Sequence, residues 1–228
     1  MKFIVIGLGN FGASIAAKLT LRGNEVIGID TDINKVEAFK ENISHTIQLD
    51  ATDESTVSGL PLKDTDVVIV AIGEDQGTNV MVTALFKNLK VKRLISRSIN
   101  PLHEKVLMAI GVDDIARPEQ ETAERWAKKL CMSGVVDSFE LTEDFSIIET
   151  GVPKRYINRT LGEIPLREKF NLLVLTILRN VERESAIGHT QVIKQAQGVA
   201  SASSVLMEGD IIVLYGSNKN LQDFLKSS

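Results

Sequence analysis

The chain has 228 residues, of which 43% are hydrophobic and 25% charged, and a formal net charge of −4. That length allows one large domain or two small ones with real cores, and the mild acidity argues against a nucleic-acid surface, which needs clustered Lys and Arg. The single cysteine, Cys131, excludes an intramolecular disulfide framework and a cysteine-rich metal site, and fits a reducing compartment.

The apolar run Phe3-Ile4-Val5-Ile6 reads as a strand, and Ala13 to Leu21, ending near Gly23, as an amphipathic helix. Between them stands Gly7-Leu8-Gly9-Asn10-Phe11-Gly12, a G-x-G-x-x-G turn. In that context Gly7 would allow the turn, Gly9 would let a pyrophosphate approach the backbone, and Gly12 would let helix and strand pack closely. The phosphates would sit on unpaired N–H groups at the positive end of the helix. A second strand, Glu25 to Ile29, ends in Asp30, about 20 residues beyond the glycines, where a carboxylate accepts hydrogen bonds from an adenosine ribose. The alternative is a plain βαβ unit whose glycines serve packing only.

Further along, Ile33 to Glu41 reads as a helix and His45 to Leu49 as a third strand, ending at Asp50-Ala51-Thr52-Asp53. Thr52 or Asp53 would cap a short helix through Val57 to Leu60. Asp66 to Ala71 is a continuous β-branched run, as a central parallel strand should be. A helix from Gln76 to Lys90 follows, with Val80, Ala84 and Leu85 expected to face inward. Arg93 to Ser96 makes a fifth strand, Leu102 to Ile110 a helix stopped by Gly111, and Asp113 to Ala116 a sixth strand. This series predicts a doubly wound parallel sheet whose ligand lies beyond the strand carboxyl ends, where Asp30, Asp50 and Arg97 fall.

A longer helix from Pro118 to Met132 then carries Trp126, Ala127 and Leu130, with Cys131 expected as a small packing residue. Beyond it the βα alternation stops, and a small α+β domain is expected from Asp137. Its strands are Ser138 to Leu141, Ser146 to Val152, Leu172 to Arg179 and Asp210 to Tyr215, with a short helix at Thr160 to Glu163. Val199 to Val205 is rich in small residues and stays unassigned. The apolar run at the N-terminus is too short for a signal peptide, and no stretch reaches the roughly 20 residues of a membrane helix, so a soluble cytosolic chain is expected. The histidines His45, His103 and His189 belong to no catalytic motif, and no P-loop Lys, nucleophile elbow or H-E-x-x-H helix is present. A bound nucleotide without chemistry nearby points to sensing.

Taken in order, several segments resemble the RCK (regulator of potassium conductance) family of the TrkA/KtrA type. They are Ile4 to Gly12, Asp30, Asp50-Ala51-Thr52, Val70-Ala71-Ile72-Gly73, Ser96-Arg97-Ser98, His103 to Leu107, Arg117-Pro118-Glu119 and Glu208 to Gly216. The resemblance implies a Rossmann-like N-terminal domain over 1–135, a crossover helix at 118–133 and an RCK C-terminal domain over 137–228. It implies that Gly7, Leu8, Gly9, Asn10, Phe11 and Gly12 cradle phosphates, that Asp30 binds the ribose and that Thr31 and Asp32 flank it. By the same carry-over Asp50 and Ala51 edge the adenine, Ala71, Ile72 and Gly73 close the crevice, and Arg97 neutralises a phosphate. Glu119 lies near the terminal phosphates and a bound divalent cation; otherwise it is an acidic first-turn residue that favours the helix dipole.

The implied ligand is an adenine nucleotide (NAD or NADH, ADP, ATP), and the Asp30/Asp32 pair disfavours NADP. KtrA-like members that discriminate ATP often carry an Arg inside the glycine motif, where this chain has Asn10. An NAD(H)- or ADP-preferring site therefore stands beside an ATP/ADP switch, although the single-copy architecture is that of KtrA. In some relatives cyclic di-AMP binds between two C-terminal domains, which extends the ligand list. The implied partners are a TrkH/KtrB-like potassium-translocating membrane subunit and further copies of the chain, as a homodimer assembling into an octameric ring at the inner face of the cell membrane. The alternatives are an RCK module of another cation transporter or antiporter, and a small NAD-dependent oxidoreductase.

Overall fold

The computed structural model describes residues 1–131, 134–184 and 190–227. The chain divides into two compact units, Met1–Glu121 and Thr122–Ser228. The first contains β1 (Lys2–Ile6), α1 (Asn10–Leu21), β2 (Glu25–Asp30), α2 (Ile33–Ala38), β3 (His45–Gln48) and α3 (Glu54–Val57). It continues with β4 (Val67–Val70), α4 (Gln76–Asn88), β5 (Leu94–Arg97), α5 (Pro101–Ile110) and β6 (Asp114–Ala116), and α6 (Pro118–Cys131) crosses the boundary.

The strands of this unit form one parallel sheet in the order β3-β2-β1-β4-β5-β6. Alternation along β1 explains both layers: Ile4 and Ile6 join a cluster with Val68, Val70, Val82 and Phe86, while Val5 joins another with Leu8, Ala13, Ala16 and Ile69. A strand covered on both faces needs apolar residues at every position, and Val67–Val70 is buried throughout. The doubly wound sheet read from the sequence is therefore present. Because every strand is parallel, all carboxyl ends emerge on one side, and the chain reverses its winding between β1 and β4.

Several local expectations are corrected. α4 buries Asn79, Val82, Thr83 and Phe86, while Val80, Ala84 and Leu85 are only partly covered; two polar residues on the buried face defeat a purely apolar periodicity. α2 ends at Ala38, where Asn42 and Ile43 fold back to bond the Phe39 carbonyl. Of the two caps read for the third helix, Asp53 is the one that serves α3, which ends at Val57 rather than Leu60. Cys131 is exposed rather than packed.

The second unit holds β7 (Val135–Glu140), β8 (Phe145–Gly151), α7 (Leu166–Phe170), β9 (Leu173–Glu184), β10 (Thr190–Ala196), β11 (Ile211–Ser217) and α8 (Asn218–Lys226). Its described strands make an antiparallel sheet ordered β10-β9-β11-β8-β7. One face packs Ile148, Ile177, Ile212 and Leu214 with Leu166 and Phe170 of α7 and Leu221 and Phe224 of α8. α7, β10 and α8 were not among the expected elements. The unassigned segment 199–205 bridges Thr160 at Val205 and accepts backbone hydrogen bonds from the Leu161 and Gly162 N–H groups at the Ser204 and Ala202 carbonyls. Met132, Ser133 and His189 lie outside the described residues.

Candidate functional site

The helices α2, α3, α4 and α5 are each capped by a side chain of their own, from Asp32, Asp53, Asp75 and Asn100. α1 is not: Gly9 stands at its N-cap with no side-chain hydrogen bond and no acidic residue in the first turn. The first N–H groups of a helix carry partial positive charge, so this end offers donors to an anion.

The glycines of the turn differ in what confines them. Gly7 has φ +93°, a conformation that side chains rarely adopt, and it packs against Ile72. A Cβ on Gly12 would run into the Gly7 carbonyl and come within 3.0 Å of the Ala71 methyl. Gly9 meets nothing within 4 Å, so the space above it is open. Leu8 points into the core, and Asn10 is exposed.

Two charged side chains flank the turn. At the end of β2, Asp30 is 9% exposed; its Oδ2 accepts from the Leu8 N–H at 2.7 Å and its Oδ1 from the Asp32 N–H at 2.9 Å. Each carboxylate oxygen retains a further acceptor position. At the end of β5, the Arg97 guanidinium lies 5.8 Å from the Phe11 ring centroid and crosses the end of β4 where Gly73 has no side chain. It donates through Nη2 to Glu119 in the first turn of α6, and its buried Nε has no partner. Glu119 is mainly exposed, with 63% of its side chain accessible.

The remaining sequence-derived candidates take quieter positions. Asp32 caps α2 through the Asn34 N–H at 2.9 Å, and the Thr31 carbonyl accepts from Gln48 at 3.0 Å. Asp50 accepts from the Thr52 N–H at 2.9 Å and from its hydroxyl at 2.7 Å, which together hold its carboxyl below the usual carboxylate range. Ala51 is buried in the core, and Ala71 is buried beside the glycine turn, its N–H bonded to Ile6. The structure thus gathers the glycine turn, Asp30, Gly73, Arg97 and Glu119, with Asp50 farther out along the sheet. Among the described residues no cluster of three or more His, Cys, Asp or Glu side chains could hold a metal ion.

A family model for the TrkA-N domain matches residues 3–118. The chain belongs to the TrkA-N family. Ktr system potassium uptake protein C of Bacillus subtilis (strain 168) is 35% identical, over 99% of this chain and 96% of that protein. Ktr system potassium uptake protein A of Vibrio alginolyticus is 30% identical over 99% and 97%. Among solved structures, the GsuK RCK domain aligns with a TM-score of 0.64 at 16% identity, over 99% of this chain and 47% of that one. The GsuK channel bound to NAD aligns at 0.61 and 17%, over 96% and 38%. The chain spans less than half of those solved chains, and at such identities the likeness is one of fold. The RCK resemblance read from the sequence is borne out.

Within this TrkA-N domain, Asn79 and Thr83 drew no notice in the sequence, and Ser96, His103, Glu104 and Arg117 stood out only as parts of the resembling segments, with no role assigned. Asn79, Thr83, Ser96 and His103 form a buried polar group between α4, β5 and α5. Arg117 donates to Glu104, with Nε to Oε2 at 2.8 Å, and so fixes where α6 begins. The signal available for the first group was two polar residues four apart, on one face of a helix whose other inward positions are apolar.

Proposed function

We propose that this chain is a nucleotide-binding regulatory subunit of a potassium-uptake system of the Trk/Ktr type. The observation that carries this reading is the uncapped start of α1, open above Gly9, with the Asp30 carboxylate on one side and the Arg97 guanidinium on the other. Those groups suit an adenine nucleotide: phosphates over Gly7 to Gly12, a ribose diol on Asp30, and a phosphate oxygen on Arg97. Asp50 and Ala51 would border the base, Thr31 and Asp32 the ribose, and Ala71 to Gly73 the floor. A divalent cation would use Glu119 together with phosphate oxygens. Support for the transport role comes from relatives named as Ktr potassium uptake proteins that match over nearly their whole length, and support for NAD from a channel of the same fold bound to it.

Among the described residues no helix is long and apolar enough to cross a membrane, so the ion path would belong to a partner of the TrkH/KtrB kind. The first unit would bind the nucleotide and α6 would cross to a second copy, with pairs building a ring. The site is for binding rather than turnover; regulation then requires that nucleotides differ in affinity for two arrangements of the assembly, since equal affinity shifts nothing.

Calorimetric titration with ATP, ADP, NAD and NADH, with and without Mg²⁺, and with particle size measured in the same samples, tests the reading. Cyclic di-AMP forms a separate arm for the second unit. Asp30→Asn should weaken every binding adenylate at least tenfold, since charged hydrogen bonds contribute about 1.5–3 kcal/mol. Absence of binding by all four nucleotides would overturn the proposal. The transport role is tested by co-expression with a Ktr-type membrane subunit in cells dependent on it for growth at low potassium.

A further inference from the structure

Asn79 is fully buried at the close of the first turn of α4, and its carboxamide reaches both the segment just past β4 and the end of β5. Nδ2 donates to the Ile72 carbonyl at 2.8 Å and to the Arg97 carbonyl at 3.3 Å. Oδ1 receives the Ser96 hydroxyl at 3.1 Å and His103 Nε2 at 3.2 Å, and Thr83 Oγ1 stands 3.0 Å from Ser96 Oγ. The amide has one workable orientation, because turning it over would set its oxygen against two carbonyls. His103 must then carry its hydrogen on Nε2, which leaves Nδ1 as a buried ring nitrogen without a partner.

A buried polar network is costly unless its groups are hydrogen-bonded, and this one sits where the sheet leaves backbone carbonyls to be satisfied. Pairing between β4 and β5 stops at Val70 opposite Ser96. Ile72 and Arg97 lie past that last rung, where the two strands part beside the glycine turn. Neither carbonyl has a ladder partner from the opposite strand there.

Resting on the nucleotide-site reading above, we infer that Asn79 is a positioning residue for that site. Its carboxamide replaces the missing rung, holding Ile72–Gly73 and Arg97 at the spacing that lays the Arg97 guanidinium across Gly73 toward Phe11. Thr83, Ser96 and His103 hold the amide in register, and none of the four needs to touch ligand.

The test titrates the full chain with ADP and with adenosine, which shares the nucleoside but has no phosphate for Arg97. Asn79→Asp keeps the shape and removes both N–H donors. It should raise the ADP dissociation constant at least tenfold while leaving adenosine within twofold. In an Arg97→Ala background the same change should have no further effect on ADP. Equal losses for the two ligands, or an undiminished loss without Arg97, would make Asn79 a residue of general stability and overturn the inference. Should Asn79→Asp not fold, His103→Leu and His103→Gln decide the matter. Leu removes the donor to Oδ1 and should lose ADP affinity selectively, whereas Gln can supply an N–H and should retain it; identical behaviour of the two refutes the positioning role. Wild-type chain that binds neither ligand removes the nucleotide site itself, and this inference with it. Wild type that binds ADP, with variants that lose no selectivity, removes only the role of Asn79.

Discussion

Two glycines three residues apart separate what the fold needs from what a ligand needs. A methyl on Gly12 has no room: it would enter the Gly7 carbonyl and press on Ala71, and the obstacle is backbone that cannot rotate away. Overpacking of this kind costs about 1–3 kcal/mol, and each kcal/mol lowers the melting temperature by about 2–4 °C in a chain of this size. A methyl on Gly9 meets nothing, and its φ of −73° and ψ of −172° suit any residue. There the stabilisation from restricting the unfolded chain, about 0.4–1 kcal/mol, opposes a preference for Gly over Ala at an N-cap of similar size, so stability should barely move. Gly9→Ala should therefore melt within about 2 °C of wild type, by that cancellation, yet lose at least tenfold in affinity for ADP or NAD. Gly12→Ala should melt markedly lower. Differential scanning fluorimetry with calorimetric titration of both variants reads the result. Unchanged nucleotide affinity in Gly9→Ala would refute the placing of phosphates over the turn, and a wild-type melting point in Gly12→Ala would refute the packing argument.

Glu119→Gln leaves Arg97 without its carboxylate and should tighten ADP severalfold in the same titration; an unchanged constant would show that the pair is not in the anion's way. In the second unit, Asp210 is 2% exposed and grips Arg179 through two hydrogen bonds of 2.8 and 2.7 Å. Asp210→Asn should cost about 1.5–3 kcal/mol, the worth of charged hydrogen bonds, with faster hydrogen exchange near Val205, whose carbonyl Arg179 also holds. Burial pushes the Asp210 carboxyl up, but Arg179 and the Met207 N–H together bring it below its usual value; this contribution is present at neutral pH and is lost as pH falls through the folded value. Burial also lowers the pKa of His103 from its usual 6.5. The unfolded chain then takes up the proton first, so stability is unaffected above that value and declines as pH falls below it, levelling once the folded imidazole titrates. Urea unfolding at about pH 8 and about pH 5.5 should show a smaller difference in His103→Gln; an identical difference would remove His103 from the acid response.

The sheet was legible because its information is local. Apolar runs, Gly-x-Gly-x-x-Gly and a strand-terminal Asp all act within a few residues of themselves, and Lys2–Ile6, Glu25–Asp30 and Val67–Val70 fell where they were read. The inward face of α4 was misread because Asn79 and Thr83 are buried for their hydrogen bonds, which periodicity of apolar residues does not register. In the second unit, α8 escaped because its long apolar residues are few and its surface is charged; the Ser217 cap with Leu221 and Phe224 three apart was the usable sign. The glycine turn and Asp30 announced themselves, whereas the meeting of Arg97 with Glu119, 22 residues apart, depends on where α5 and β6 return the chain.

That meeting bears on how fast such a site could respond. Because Glu119 already neutralises Arg97, an incoming phosphate would trade places with a carboxylate instead of quenching a bare cation. The net gain would then be smaller than for an unpaired Arg97, and the reverse trade would stay near at hand. A nucleotide sensor would benefit from that, since occupancy could follow concentration promptly, and because Glu119 sits in the first turn of α6, each swap would pull at the start of that helix.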